Sequence, residues 1–528
     1  MPKLKELEIL FSQGKITRRE FMARVAALGL TAAVSPALLP ASAHGSTPKK
    51  GGRLRIGSTG AATSDSLDPA TINNMYPLFI NYQLRNNLVE VDHNTEPKPE
   101  LAESWEAAPG AAKWIFKLRR DVEFHNGKTL DAEDVIFSIN HHRGEDSKSP
   151  AKPILAIVKD IKTDGKHAVI FTLDAGNADF PFILNDYHLT IVPSGTTDFE
   201  KGIGTGGYTL ISHEPGVRAL VKRNPNYWNE GRAHFDVVET IGIADVNSRT
   251  NALRAGQVDV INRCEPKTFH LLKKSPGIQG IVNTGFKHYE WAMLCDMEPF
   301  KNNDVRLAMK YAIDREQMLK QIIRGYGVLG NDHPIAPANR YTYDKLPQRK
   351  YDPDKARYHI KKAGIEGQTI DLHAAEAGFP GAVDAAVLYA EQAAKAGIKI
   401  NVVREPNDGY YSNVWIKKPF CAIFWGGRPT EDWMFSTTYA EGVAWNDTHW
   451  KHAHFNKLLV AARAELDDNK RREMYHEMQK IVHDDGGAII FAFVSNLDAA
   501  TDKVKFGPQA VNWELDGGKF AERWWFES

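Results

Sequence analysis

The sequence predicts an α/β protein built as two large lobes. Three observations carry this: a chain of 528 residues, a strand-rich first half, and a β-α-β unit in the second half. A single core stops growing at roughly 250–300 residues, so this length calls for more than one. The apolar share of 42% and charged share of 25% are those of an ordinary globular protein.

The first half reads as strands with occasional helices. Arg53-Leu54-Arg55-Ile56-Gly57 alternates like an opening strand, and Lys113 to Leu118 follows as another, ending near the Asn126-Gly127 turn. Asp131 is placed to cap a helix through Val135, Ile136 and Ile139, with Glu133 and Asp134 favouring its positive end. Strands recur at His167–Phe171 and Arg218–Val221. In the second half, Val305, Ala308, Met309, Ala312 and Ile313 recur at helical spacing, and the pattern runs on through Leu319 and Ile322 to Gly325. Asp352-Pro353 opens the next helix and Gly364 closes it. Strand Thr369–His373, helix Ala382–Ala396 and strand Ile398–Val403 then form the β-α-β unit, which implies parallel pairing. Phe420 to Trp425 is a short buried strand emerging at Gly426-Gly427. A long amphipathic helix from about Asn469, a last apolar strand Ala488–Val494 and an aromatic tail complete the chain.

The N-terminus reads as an address. Arg18-Arg19 precedes an apolar run, Val25 to Leu39, and Ala41-Ser42-Ala43 supplies the small residues of a cleavage site. The pair resembles a twin-arginine signal; the run is too short to span a bilayer. Residues 1–43 are thus expected to be a signal peptide, removed on export, and 44–52 a linker. Lys+Arg and Asp+Glu balance at 66 each, so no net field favours nucleic acid or an anionic membrane. Cys264, Cys295 and Cys421 have neither disulfide-framework nor metal spacing and read as buried small hydrophobes.

Motifs that carry chemistry are few. Gly202-Ile203-Gly204-Thr205-Gly206-Gly207 matches the dinucleotide pattern in letters, but a β-type run, Tyr208 to Ser212, follows where a helix is needed, so no nucleotide site is expected. His449, His452 and His454 form the densest histidine group; Lys451 lies among them and no fourth ligand is adjacent, so solvated histidines are favoured over a metal site. His141-His142 ends a helix and is read as favouring its negative end. No catalytic spacing and no cofactor site is found, and none is expected.

Several segments in order resemble the extracellular solute-binding proteins of family 5, the dipeptide, oligopeptide and nickel type receptors of ABC importers. They are Pro99 to Trp105, Phe116 to Gly127, Asp131 to Val135, Gly204 to Tyr208, Arg223 to Trp228, Val305 to Arg315 and Tyr351 to Ala356. The resemblance implies the two-lobed periplasmic-binding-protein fold, class II-like, in its large form with an extra subdomain. Lobe I would cover 53–290 with the subdomain at 95–200, lobe II 291–490, and 491–528 would return to lobe I. Crossover segments at Tyr289–Leu294 and Ile489–Val494 would form the hinge. It further implies a periplasmic, monomeric, non-catalytic receptor that delivers a small solute to an inner-membrane permease, with an oligopeptide or metal-chelate receptor, or an enzyme on the same fold, as alternatives.

Dipeptide receptors of this kind resemble one another in pairing a carboxylate with the ligand's amine and an arginine with its carboxylate. Here the loop after Trp425 reads Gly426-Gly427-Arg428-Pro429-Thr430, and the arginine's neighbourhood reads Glu376 to Pro380 without a base. A free dipeptide is therefore disfavoured, and a carboxylate-bearing or polar solute, or a modified peptide, is expected. The candidate ligand residues are Arg428, whose planar fork suits a carboxylate or phosphate, with Gly426, Gly427, Trp425, Trp445, Tyr289, Trp291 and Tyr76. A loop brace from Arg428 to Glu431 or Asp432, and core packing of Trp425, are the bland alternatives.

Overall fold

The computed structural model describes residues 48–527. The expected signal peptide and its cleavage near His44 lie outside the described residues. The architecture is α/β and two-lobed, organised on one eleven-stranded sheet. Its strands in chain order begin with β1 (Arg53–Ser58), β2 (Tyr208–Glu214), β3 (Arg218–Arg223), β4 (Val237–Gly242), β5 (Val260–Ile261) and β6 (Ile278–Met293). The second half adds β7 (Gly327–Leu329), β8 (Thr369–Ala374), β9 (Lys399–Arg404), β10 (Phe420–Trp425) and β11 (Ala488–Thr501). The spatial order is β9-β8-β10-β6-β11-β5-β1-β4-β3-β2, with β7 also on β11.

Local chemistry sets these elements. In β1, Leu54 and Ile56 point into the core while Arg53 and Arg55 reach neighbouring acids, Glu239 at 2.6 Å and Asp259 at 3.0 Å. Asp131 caps the helix Ala132–Asn140 in a full capping box with Asp134. Asp352 caps Pro353–Ala363, which ends on left-handed Gly364 at φ 72°. β8 and β9 pair parallel around the helix Ala382–Ala394. The long helix expected from Val305 to Gly325 is two helices, Asn303–Tyr311 and Arg315–Gln321. The break falls where the Asp314 side chain accepts from the Gln317 N–H and starts a new helix.

The three largest packed cores among the described residues organise the fold. One lies under β1–β4 and the helix Met75–Leu84, around Tyr76, Phe79 and Phe520. The second, around Trp291, Phe379, Tyr389 and Phe491, fills the other lobe. The third belongs to a four-stranded antiparallel sheet, Ala102–Ala107, Lys113–Leu118, Ala168–Leu173 and Val158–Thr163, and gathers Trp114, Phe116, Phe171 and Phe180. The glycine-rich stretch 202–207 has a packing purpose: a Cβ on Gly204 or Gly206 would stand 2.2 Å or 2.4 Å from the Leu84 backbone.

The lobes are joined by β6 and β11, which pair antiparallel along nearly their whole length. Register slips between Thr284 and His288 and again between Tyr289 and Glu290. Each slip is a bulge, where ladder bonds are interrupted and the ribbon bends.

Candidate functional site

A cavity of about 730 Å³ opens between the four-stranded subdomain and the loop after β10. β10 is buried except at Phe424 and delivers Gly426 and Gly427 to the cavity rim. Gly427 sits at φ 73°, and a Cβ there would lie 2.2 Å from the Phe286 carbonyl oxygen, at the first bulge of β6. Its missing side chain therefore serves the protein's own packing. Gly426 faces open space. Thr430 then caps the helix Glu431–Thr438 through the Trp433 N–H.

Arg428 lines the cavity with its guanidinium carbon 5.7 Å from the centre of the Trp433 ring. Its Nη1 donates to the Gly427 carbonyl at 2.7 Å. Burial pushes the guanidinium below its ordinary value, with Asp186 pulling the other way. The alternative brace does not form. Glu431 accepts from the Tyr341 N–H at 2.6 Å, and Asp432 is held by Arg463 at 3.0 Å. Burial pushes the Asp432 carboxyl above its usual range despite that pairing. A third acid on the cavity, Asp179, pairs with Arg471 at 2.9 Å, while Asp186 accepts from the His188 backbone N–H at 3.0 Å and contacts its ring. Among the described charged side chains lining the cavity, Arg428 is the cation without a paired acid.

The aromatic candidates separate. Trp445 lines the cavity and is 50% exposed. Trp425 is buried beneath it, ring centres 6.1 Å apart, and its Nε1–H donates to Asp447 at 2.9 Å. Tyr289 stacks on Phe379 at 4.4 Å on the side of the second lobe's core, and burial pushes its hydroxyl up to about 12. Trp291 is fully buried between Tyr389 and Phe491. Tyr76 is fully buried too, because every residue of its helix is enclosed by the first lobe. Of the eight residues expected at the ligand, Arg428, Gly426, Gly427 and Trp445 line this cavity, while Trp425, Tyr289, Trp291 and Tyr76 do not; the rings of Trp291 and Tyr76 are consumed by core packing.

Sequence reasoning missed the far wall. Asn177, Asp179, Phe182, Asp186, Tyr187 and His188 come from the subdomain, and Asn512 and Trp513 from the C-terminal return. The histidine group does not converge. His449 contacts Asp296 at 3.0 Å, His454 contacts Glu477 at 2.7 Å, and His452 caps its helix through the Phe455 N–H. Among the described residues no cluster of His, Cys, Asp and Glu is placed to hold a metal ion. His142 departs from its expected role. It is buried against Ser149 and pushed down to about 4 by desolvation, so it carries no charge for a helix end at neutral pH.

Comparison with known proteins is decided by a family model. The model for bacterial extracellular solute-binding proteins, family 5 (middle region), matches residues 96–447. The chain belongs to this family. Its function is accordingly that of a substrate-binding receptor of an ABC importer. The chain is 26% identical to di/tripeptide-binding protein 1 of Pseudomonas aeruginosa over 440 residues, 75% of this chain and 81% of that one. In structure it is similar to HbpA2 from Haemophilus parasuis, with a TM-score of 0.80 and 21% identity over 88% of this chain and 99% of that one. It is also similar to AgaA from A. tumefaciens R10, solved with agropinic acid, with a TM-score of 0.70 and 24% identity over 90% and 99% of the two chains. Family members bind substrates for transport, and the cavity between the lobes is where this member offers an unpaired guanidinium.

Proposed function

We propose that this receptor captures one small anionic solute in the cavity between its lobes, releases it unchanged to an inner-membrane permease, and catalyses no reaction. The observation that carries the ligand class is the charge pattern of the cavity. Asp179 and Asp432 are each matched by an arginine and Asp186 by His188, whereas Arg428 has no acid of its own. A ligand carboxylate would complete that pairing with two parallel hydrogen bonds. A free dipeptide also needs an acid for its ammonium group, and the acids here are engaged. This distinguishes the proposed ligand from that in the name of the Pseudomonas relative; the acid bound by the A. tumefaciens neighbour is a solute of the proposed charge. The volume of about 730 Å³ lies within the range of small-molecule sites.

Export would follow the twin-arginine-like segment, leaving a monomer in the periplasm. Closure would occur about the bulged stretch of β6 and β11. Native mass spectrometry of the purified protein should reveal a co-purifying acid. Arg428→Ala should then weaken its binding well over tenfold, and Arg428→Lys should restore it only in part, because truncating a buried charge partner costs roughly 2–5 kcal/mol. Unchanged affinity in Arg428→Ala, measured by calorimetry, would remove Arg428 from the site.

A further inference from the structure

Beneath Trp445 in the cavity wall lie two buried carboxyl groups that solute capture does not use. Glu290 is on β6 and Asp447 lies two residues beyond Trp445; they are 1% and 3% exposed. The Asp447 Oδ2 accepts the Nε1–H of Trp425 at 2.9 Å and that of Trp415 at 3.2 Å. These are the two indoles on which Trp445 packs, with ring centres 6.1 Å and 6.5 Å away.

The Glu290 carboxyl faces Asp447, and neither of its oxygens accepts a well-formed hydrogen bond, although the Trp425 N–H that Asp447 accepts also pulls on it. Its neighbour on the same strand is His288, whose Nε2 stands 3.6 Å from the Glu290 Oε2. The His288 Nδ1 lies 3.2 Å from the Phe286 carbonyl oxygen. A carbonyl only accepts, so Nδ1 carries the ring proton and Nε2 presents a lone pair. Burial pushes His288 down to about 4 and leaves it neutral. The other titratable groups that face the pair are Tyr439 and Cys421, both pushed up by burial and uncharged at neutral pH. Arg428 acts on the His288 ring and pairs with neither carboxyl. An ionised Glu290 would thus face a carboxylate and a lone pair with no cation to offset its burial, and the one donor that pulls the other way, the Trp425 N–H, is already given to Asp447 at 2.9 Å. A proton on Glu290 resolves both conflicts and leaves Asp447 as the anion that the two indoles already favour.

We propose that Glu290 is a neutral carboxylic acid whose O–H donates to Asp447, and that this pair positions the Trp415–Trp425 layer that backs Trp445 in the wall of the solute cavity. The wall's relevance to solute rests on the function proposed above; the proton on Glu290 does not. Burial also pushes Glu290 well above its ordinary value, whereas Asp447, raised by burial and pulled back by its two indole N–H donors, stays lower, at about 6. A carboxyl with a raised folded-state pKa makes the folded protein hold one more proton than the unfolded chain. Stability therefore falls as pH rises from near the unfolded value, and each such proton raises the unfolding constant up to tenfold per pH unit.

The test is urea unfolding of the mature protein between about pH 5 and pH 8. Glu290→Gln keeps the size, gives Asp447 an N–H donor and cannot titrate. Its unfolding constant should climb less steeply than that of the unaltered protein, by up to about tenfold per unit. Asp447→Asn, which supplies Glu290 with a donor, should flatten the slope likewise. Glu431 and Asp498, both pushed up to about 7 by burial, contribute equally to all three proteins. Equal slopes would overturn the proton assignment. Asp447→Ala tests positioning: it should change the near-ultraviolet tryptophan dichroism and increase acrylamide quenching in the folded protein. Trp425→Phe is the second variant, removing one donor while keeping a ring, and should loosen the same wall. No spectral change in either would overturn the positioning role. A flattened slope in Glu290→Gln with intact solute binding in Arg428→Ala would uphold the buried proton while rejecting the Arg428 site.

Discussion

Asp179→Ala should open the receptor. Asp179 precedes the short helix Phe180–Ile183 in the subdomain but makes no capping bond there, so its side chain serves the contact to Arg471. Arg471 belongs to the helix Asp468–Asp485 on the opposite side of the cavity, and the two side chains are 7% and 4% exposed. Neighbouring links carry no buried charge pair: the Ala178 N–H to the Arg463 carbonyl at 2.7 Å, Thr95 Oγ1 to the Ala338 carbonyl at 2.8 Å, and Arg340 to Glu96 at 3.0 Å with both side chains about a third exposed. Removing one partner of a buried ion pair costs about 3–5 kcal/mol, because the other charge is stranded. Here the guanidinium keeps the Ala462 carbonyl at 3.0 Å and lies 5.3 Å and 5.5 Å from the rings of Tyr341 and Tyr475, which favours the low end, about 3 kcal/mol. When the lobes part, both groups regain water, so the penalty falls on the closed state. That shifts closure roughly 100-fold toward open. Small-angle scattering should show a larger radius, and calorimetry a weaker affinity for the co-purified solute. Asp179→Ala/Arg471→Met, which removes the stranded charge, should recover much of the compact form. An unaltered radius and affinity in Asp179→Ala would refute the assignment of this pair to closure.

Two further expectations follow from position. Gly427→Ala should destabilise the fold by more than about 2 kcal/mol in thermal or urea unfolding, since it combines a positive φ with a contact of 2.2 Å to Phe286, while Gly426→Ala should leave stability within about 0.5 kcal/mol. Replacing Arg18 and Arg19 together by Lys should leave the precursor in the cytoplasm, as followed by fractionation and immunoblot; normal export would reject the twin-arginine route.

The elements legible in the sequence were those whose signals are local. Asp131 with Asp134, and Asp352-Pro353 with Gly364, carry their own start and stop chemistry, and Phe420 to Trp425 is bounded by a glycine pair. The helix break at Asp314 was hidden because the apolar period runs through it, and only the capping bond marks the stop. The length of β6 was hidden by Gly280, Asn283, Gly285 and Lys287, which read as loop yet are carried by pairing to β11. In the candidate site, Arg428 stood out because it occupies the loop where the resemblance to dipeptide receptors implies an acid. Trp445, Trp291 and Tyr76 share a ring chemistry that does not separate wall from core; position in the fold decides that. Asp179 and Arg471 are nearly 300 residues apart, a separation at which pairing leaves no pattern in the chain.

The ribbon of β6 and β11 joins the two lobes through a single paired ladder. Two flexible tethers would let each lobe roll, slide and twist independently of the other. Here one ladder of hydrogen bonds runs from Ile278–Thr501 in the first lobe to Ala292–Ala488 in the second, interrupted at its bulges. Such a ladder resists stretching and shear along the strands, so compliance concentrates in the few residues from 284 to 290. In the closure proposed above, the lobes would behave like two boards on a single leaf spring, free chiefly to bend about one axis. Solute binding would then have little rotational disorder to suppress, and Asp179 and Arg471 would return to the same register each time the spring closed.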